Sequence, residues 1–411
     1  WDNSSKCSSR SSNWNKPALN LNSNNGCQLV SPSVALQRRG ALLHGWLFIL
    51  ADEQNTQRRR GQVSSYIAKA CTLHFIMKRY GNLFPQIVEK ENLYLAFNKA
   101  KKGKTWQTTV KRVEKHLEQN IDRLQESLLD KTFTTSSYTF KRVYEPKTRD
   151  IYVLPFYPDR IVQHAVMNIV EPIWDNLFIH NSFACRKGKG QHKGSKKCME
   201  YVRSTQYALK CDISKFYPSI HKETMSIIIR RKIKCRDTLW LLDDIVHSTE
   251  GETNVPIGNY TSQWLGNLYL NELDQFVKQE LQCKKYLRYC DDFCLFSNDK
   301  QQLHAWNKEI EQFLWDRLKL TYSKTKVFPV TQGVDFLGYR HFPNKILLRK
   351  STAKRVKRRI QAIPRMVASG RLSKERALAS LQSTKGWLRW ANTHNLQIAL
   401  EIDNKIKEFS Q

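Results

Sequence analysis

The stretch "YLRYCDDFCLF", Tyr286 to Phe296, sets the hardest condition on the fold. It has the aromatic and apolar content of a half-buried strand pair, yet Asp291 and Asp292 sit at its centre. Asp is a poor strand residue, and a buried carboxylate needs a partner charge, a hydrogen-bond donor or a metal. Either a hairpin turn leaves the pair in water, or something positive sits there. Asp212 poses the same problem at the end of the apolar run "YALKCD". If these runs pair as strands, three carboxylates converge at one sheet edge. Converging carboxylates raise one another's pKa unless divalent cations neutralise them. Two Mg²⁺ ions ~3.5–4 Å apart on such acids are an arrangement that drives nucleotidyl transfer.

Charge points the same way. Lys and Arg outnumber Asp and Glu by 68 to 37 over 411 residues, a net charge of +31. So basic a chain, with 11% aromatics, suits a polyanion, nucleic acid first. No run reaches ~18 apolar residues, so no membrane partner is expected. Ten cysteines occur without a CxxC pair or a Cys/His cluster at zinc spacing. They read as reduced, mostly buried residues of a cytoplasmic protein.

Strand-like and helical runs alternate without an internal repeat, which predicts an α+β or α/β class with a helical tail. Helical periodicity begins near Met77: Phe84, Ile87 and Val88 share a face that Leu93, Leu95, Ala96 and Ala100 continue. A single amphipathic helix is expected over 108–130, another over 222–248, and helices over 261–281 and 301–320. Strands are expected in "SYTFKRVYEP" and "DIYVLPF", joined by "PKTR", with Asp159 capping the next helix. Hairpins are expected at "KYLRYCDDFCLFS" and at "VDFLGYRHF" with "KILLRK". Residues 1–76, rich in Ser and Asn, look foreign to the rest. They read either as a disordered basic tail or as a non-native leader translated upstream of Met77.

"RYCDDF" is a YxDD box, and "LKCDISKFYPSI" resembles the acidic motif that precedes that box in reverse transcriptases. Five further motifs stand in family order: "KTRDIYVLPFYPDRIVQHAV", "SFACRKGKGQHKG", "VPIGNYTSQWLGNLYLNELD", "LKLTYSKTKVFPV" and "GVDFLGYR". From about Met77 onward the chain resembles the reverse transcriptases of diversity-generating retroelements. The resemblance implies an α+β right-hand polymerase fold: N-terminal helices and fingers over 77–205, a palm with an antiparallel sheet over 206–340, a finger insertion at about 222–255, and a helical basic thumb over 341–411. It implies RNA-directed DNA synthesis from a template-repeat RNA, with dNTPs, a DNA or RNA primer, two Mg²⁺ (Mn²⁺ as a substitute) and a small basic accessory protein. The setting it implies is cytoplasmic, in a bacterium, an archaeon or a phage-encoded system.

It also implies roles. Asp212, Asp291 and Asp292 would carry catalysis and hold metal with the carbonyl of Ile213. Tyr217, five residues after Asp212, would stand as a steric gate against a ribose 2′-hydroxyl. Arg149, and more weakly Lys147, would reach the triphosphate from a fingertip hairpin. Arg186 and Lys187, in a Gly-basic loop, would touch nucleic acid. Lys324 or Lys326 would protonate the leaving pyrophosphate; the sequence does not choose between them. Leu337 and Gly338 would grip the primer backbone, with Tyr289 packed under its terminus. Lys354, Arg355 and Arg358 would track the template–primer duplex by charge. Trp387 and Trp390 read as thumb core.

One departure refines the resemblance. Most reverse transcriptases carry Gln-Gly and Ser-Pro where this chain has Ile257-Gly258 and Ser262-Gln263. The "IGNxxSQ" pattern is that of the diversity-generating branch. Gln can hydrogen-bond near the nascent base pair and Ile cannot, so relaxed fidelity is expected, directed at template adenine by the resemblance. The leader "SSNWNKPALNLNSNNGCQLV" resembles a translated template repeat, whose Asn codons offer mutable adenines. A retron or group II intron enzyme, or a non-catalytic RNA-binding protein on a polymerase scaffold, are the competing readings.

Overall fold

The computed structural model describes residues 78–144 and 148–410. The leader and Met77, together with Lys147, lie outside the described residues. In chain order the structure opens with α1 (Phe84–Val88), α2 (Lys90–Lys101), α3 (Thr108–Lys115) and α4 (Leu117–Leu129). A hairpin of β1 (Thr139–Val143) and β2 (Arg149–Val153) follows, then α5 (Ile161–Asp175) and α6 (Gln191–Arg203). Next come β3 (Tyr207–Ile213), α7 (Phe216–Ser219), α8 (Lys222–Arg230), α9 (Arg236–His247) and α10 (Tyr260–Gln275). The chain continues through β4 (Tyr286–Tyr289), β5 (Asp292–Ser297), α11 (Lys300–Leu318) and β6 (Tyr322–Pro329). It closes with β7 (Val334–Phe336), β8 (Tyr339–Phe342), β9 (Lys345–Leu348), α12 (Lys350–Ala368), α13 (Lys374–Leu388), α14 (His394–Ala399) and α15 (Ile402–Ser410).

β3, β4, β5 and β6 form an antiparallel sheet in the order β4-β5-β3-β6. Its two faces do different work. Leu209, Cys211, Phe293 and Leu295 turn toward α5, α10 and α11 and join the main core. Ala208, Leu287, Cys294 and Phe296 turn toward α6 and the β7–β8 hairpin, in a second cluster with Phe336. The alternation along β3 and β5 makes this split possible, since neighbouring residues face opposite ways. The three-stranded sheet β7-β8-β9 leads into the terminal helices, which bury Ile360, Leu381, Leu388 and Ile402 as a third cluster. A four-stranded antiparallel sheet backed by helices, a separate two-stranded hairpin and a terminal helical bundle make this an α+β right-hand polymerase fold.

Several local expectations fail for identifiable reasons. The helix expected over 108–130 breaks at His116 (φ −123°, ψ 43°), where the Asn120 amide donates to the Val113 carbonyl at 3.1 Å and supplies a partner at the end of α3. The helix expected over 222–248 breaks between Arg230 and Arg236. There Tyr80 draws the backbone away, its N–H donating to Lys232 O at 2.7 Å and its carbonyl accepting from Lys234 N at 2.8 Å. Leu95 lies 47% exposed, off the stripe of Leu93, Ala96, Phe97 and Ala100 that α2 buries. Asp159 makes no cap bond to the helix. It is buried and accepts from the Ser136 N–H at 2.8 Å, fastening the segment before β1.

Candidate polymerase active site

One rung of the sheet brings two of the three expected acids together. Reading across the strands, Tyr289 pairs with Asp292, Asp292 with Asp212, and Asp212 with Lys324. Register partners in an antiparallel sheet share a face, so these side chains form one row. Asp291 belongs to the two-residue turn between β4 and β5, one position from Asp292. The three acids therefore come from the adjacent strands β3 and β5 and from the turn that joins β4 to β5. The Asp212 carboxylate accepts from Ser323 Oγ at 2.5 Å. A register shift between Asp212 and Ile213 ends the regular β3–β6 pairing beside the Ile213 backbone.

The turn has its own support. Cys290 takes a left-handed backbone (φ 54°), which costs a non-glycine residue roughly 1 kcal/mol. Arg288 Nη1 donates to the Cys290 carbonyl at 3.1 Å and holds it there. Arg288 is fully buried, with Nε and Nη2 on the two oxygens of Asp274 at 2.8 and 2.6 Å and Nη1 on Asn267 Oδ1 at 3.1 Å. Tyr286 donates its hydroxyl to the same Asp274 at 2.7 Å, and Asn267 donates to Ala184 O at 3.0 Å. One guanidinium thus ties the acidic turn to α10 and to the loop before α6. Sequence reasoning missed this network. Its one legible trace is that Asn267 and Asp274 are seven residues apart, on one face of α10.

Asp292 has a partner charge of its own. Both its oxygens accept from Lys210 Nζ at 2.9 Å. Burial pushes its carboxyl up to about 6; Lys210 opposes that shift, and Asp212 and Asp291 add to it. Lys210 also went unnoticed in the sequence. The expected metal-ligand role of Asp292 therefore stands beside an ammonium contact that the sequence did not show. The carboxylates of Asp212 and Asp291 and the Ile213 carbonyl are hard oxygen donors of the kind Mg²⁺ takes, so they fit the implied ions. Among the described residues no three His, Cys, Asp or Glu gather as a ready-made metal cage.

The residues expected to meet the nucleotide are held by close backbone packing. The carbonyl of Ile257 accepts from the Tyr152 N–H at 2.8 Å. Gly258 (φ 130°) faces the Tyr152 carbonyl so closely that a Cβ would lie 2.2 Å from it. The β1–β2 hairpin is docked there, and exposed Arg149 sits three residues toward its tip, roughly 10 Å away. Asn254 donates to the Tyr152 hydroxyl at 2.9 Å. Buried Lys222 threads the same loop, its ammonium donating to the carbonyls of Thr249, Glu250 and Gly251. Tyr217 packs against α10, where a Cβ on Gly266 would meet its ring at 3.1 Å; burial raises its phenol pKa. Ser262 is buried and donates to Pro256 O at 2.7 Å, so it shapes the Ile257 loop. Gln263, next to it, is exposed in the first turn of α10.

Arg186 also departs from expectation. Its guanidinium donates to Asp175 Oδ1 at 2.5 Å, to the Ile179 carbonyl at 2.7 Å and to Ser182 O at 3.1 Å, and its side chain is 7% exposed. It organises its loop and offers little to a phosphate, whereas Lys187 is exposed. Lys324 and Lys326 are both exposed on β6, but the register puts Lys324 opposite Asp212 and Lys326 opposite Lys210.

Leu337 (φ 57°) and Gly338 (φ 83°) make the β7–β8 turn. Gln191 donates to Leu337 O at 2.7 Å, and Gly194 gives the Leu337 side chain room, a Cβ there falling 2.8 Å from it. Buried His341 joins Ser195 Oγ at 2.7 Å, and burial lowers its pKa to about 4. Trp387 stacks on Tyr339 at 5.2 Å between ring centroids and Trp390 on His192 at 4.1 Å, so both tryptophans join the terminal helices to the hairpin and α6. Lys354, Arg355 and Arg358 are exposed on α12. Arg358, Arg365, Arg371 and Lys405 line a cleft of about 650 Å³ on the helical bundle.

Residues 144–341, which contain every strand of the acidic sheet, match the family "Reverse transcriptase (RNA-dependent DNA polymerase)". The chain carries a reverse transcriptase domain. Protein YkfC of Escherichia coli (strain K12) is 27% identical over 274 residues, covering 54% of this chain and 70% of that protein. Group II intron-encoded protein LtrA of Lactococcus lactis subsp. cremoris is 24% identical over 300 residues, 54% of this chain and 49% of LtrA. Nuclear intron maturase 4 of Arabidopsis thaliana is 24% identical over 167 residues, 38% of this chain and 20% of that protein. The chain thus spans about half the length of LtrA. The reverse transcriptase domain is that of an RNA-directed DNA polymerase, and no described helix is long and apolar enough to cross a membrane.

Proposed function

We propose that the protein copies a template-repeat RNA into cDNA with low fidelity at adenines, as diversity-generating retroelement enzymes do. The observation that carries this is Ile257. Its backbone is bonded to β2, so the side chain has a fixed station beside Gly258 and the docked hairpin. An apolar side chain there supplies no donor or acceptor to the nascent base pair, and discrimination weakens where a polar contact is missing.

Asp212, Asp291 and the carbonyl of Ile213 are the groups that would hold metal. Two bound Mg²⁺ would supply activation of the primer 3′-hydroxyl and charge stabilisation of the leaving pyrophosphate. Tyr217 narrows the sugar site. Arg149 offers a phosphate fork at the hairpin. Lys324, on the Asp212 rung, is the better placed of the two lysines to hold a proton for the leaving group. Exposed Lys187, Lys354, Arg355 and Arg358, and the turn at Leu337 and Gly338, are the proposed nucleic-acid contacts. Template RNA, primer, dNTPs and a small basic accessory protein are the partners this reading requires. Residues 77–205, 206–340 and 341–411 serve as fingers, palm and thumb.

The names of LtrA and of the nuclear maturase favour a second reading, a group II intron-type enzyme. The error spectrum separates the two. Sequenced cDNA from a defined RNA should show errors concentrated opposite template adenine, and Ile257→Gln should lower them about tenfold. An even error spectrum unmoved by Ile257→Gln removes the diversity-generating reading and leaves the other.

A further inference from the structure

Lys210 sits on β3 two residues before Asp212 and shares its face. A lysine ammonium has three N–H donors. Two acceptors here are the oxygens of Asp292, each at 2.9 Å, and the third is the backbone carbonyl of Asp335 at the centre of β7. The Phe336 ring centroid stands 5.7 Å from the same nitrogen. The Asp335 carboxylate in turn accepts from Arg349 Nε at 2.6 Å, and the Arg349 N–H donates to Gly338 O at 3.0 Å, immediately before α12 begins. A continuous polar path therefore runs from the second acid of the YxDD box, through Lys210, to the hairpin turn and to Arg349, the residue just before the basic helix.

We propose that Lys210 is a positioning residue that couples Asp292 to the β7–β8 hairpin, so that the acidic row and the grip on the primer end move as one body. This rests on the polymerase reading above. Two features support it. All three donors of one ammonium are matched, so the link has a defined geometry. Lys210 and Asp292 are 22% and 24% exposed, so water competes weakly for the pair. A charge-assisted contact of this kind is roughly twice as strong as a neutral hydrogen bond. It also makes Asp292 the partner of an ammonium and leaves metal binding to Asp212 and Asp291.

The test measures fluorescence anisotropy of the full chain in EDTA with two duplexes, one with a recessed primer 3′ end and one with both ends closed by hairpins. Wild type should prefer the recessed end by about tenfold, K210M should lose that preference, and K210R should keep most of it. The Mg²⁺ concentration that half-saturates extension should stay within about twofold in K210M. Unchanged end preference in K210M overturns the proposal, as does its absence in wild type. A tenfold shift in Mg²⁺ demand also overturns it, because Asp292 would then belong with the metal ligands. If K210M fails to fold, the charge-free pair K210M/D292N carries the same readout and the same expectation. Failure of wild type to extend any RNA-templated primer defeats the polymerase reading instead, and the EDTA measurement still decides what Lys210 does.

Discussion

Asp274→Asn is the perturbation that bears most on how the acidic turn is held. It removes the charge opposite Arg288, whose side chain and partner are both fully buried. The Asn267 side chain and the Cys290 carbonyl remain as acceptors, so the guanidinium keeps hydrogen bonds and loses its counter-ion. Breaking a buried pair by removing one member costs about 3–5 kcal/mol, because the other charge is stranded. Against a typical total of about 5–15 kcal/mol, that is about a fifth or more of the stability. Urea unfolding of wild type and variant at pH 7 reads it as a lower midpoint at unchanged slope. The paired variant Asp274→Leu with Arg288→Met should recover most of the loss, since apolar replacement of a buried pair is often neutral or better. It should not recover primer extension, because the Cys290 carbonyl would lack its donor. A loss under about 1 kcal/mol in Asp274→Asn would refute the electrostatic argument. Full extension by the paired variant would refute the link between Arg288 and the turn.

Two further outcomes follow from the geometry. Gly258→Ala puts a Cβ 2.2 Å from the Tyr152 carbonyl at φ 130°, so the β1–β2 hairpin must shift. We expect kcat/KM for dNTP to fall about 10- to 100-fold with folding retained, and unchanged kinetics would show the hairpin is not part of the nucleotide site. His341 is held near 4 in the fold against 6.5 in the unfolded chain. Between those values the unfolded chain takes up a proton that the folded one refuses, so stability falls as pH drops through 6.5 toward 4, by about 3 kcal/mol in all. His164, lowered to about 4 by burial and by Lys104, Lys99 and Arg160, adds a similar slope. His341→Gln should therefore reduce the acid sensitivity of urea unfolding between pH 6.5 and 4; the same slope as wild type would contradict this.

What the sequence made legible was local. Alternation over 207–213 and 292–297 marked strands with two distinct faces, and acids interrupting those runs marked the site. The helix breaks at His116 and near Ile233 were hidden because an Asn side chain and the Tyr80 backbone cause them, and apolar spacing records neither. The supporting charges were hidden for the same reason. Lys210 and Asp292 lie 82 residues apart, Lys210 and Asp335 125 apart, and Lys222 reaches carbonyls 27 to 29 residues on. No periodicity encodes such pairings; only the folded register brings them together. Arg186 misled because a Gly-basic loop suggests phosphate, while Asp175, eleven residues earlier on α5, holds its guanidinium.

The central claim is that Asp212 and Asp291 carry RNA-templated DNA synthesis. Its most direct test is extension of a labelled primer on an RNA template with Mg²⁺ and dNTPs, wild type beside Asp291→Asn. The account predicts template-dependent products from wild type and a loss of about a thousandfold or more in the variant, with folding intact. Comparable extension by both proteins, or none by wild type over a range of RNA templates, would contradict it.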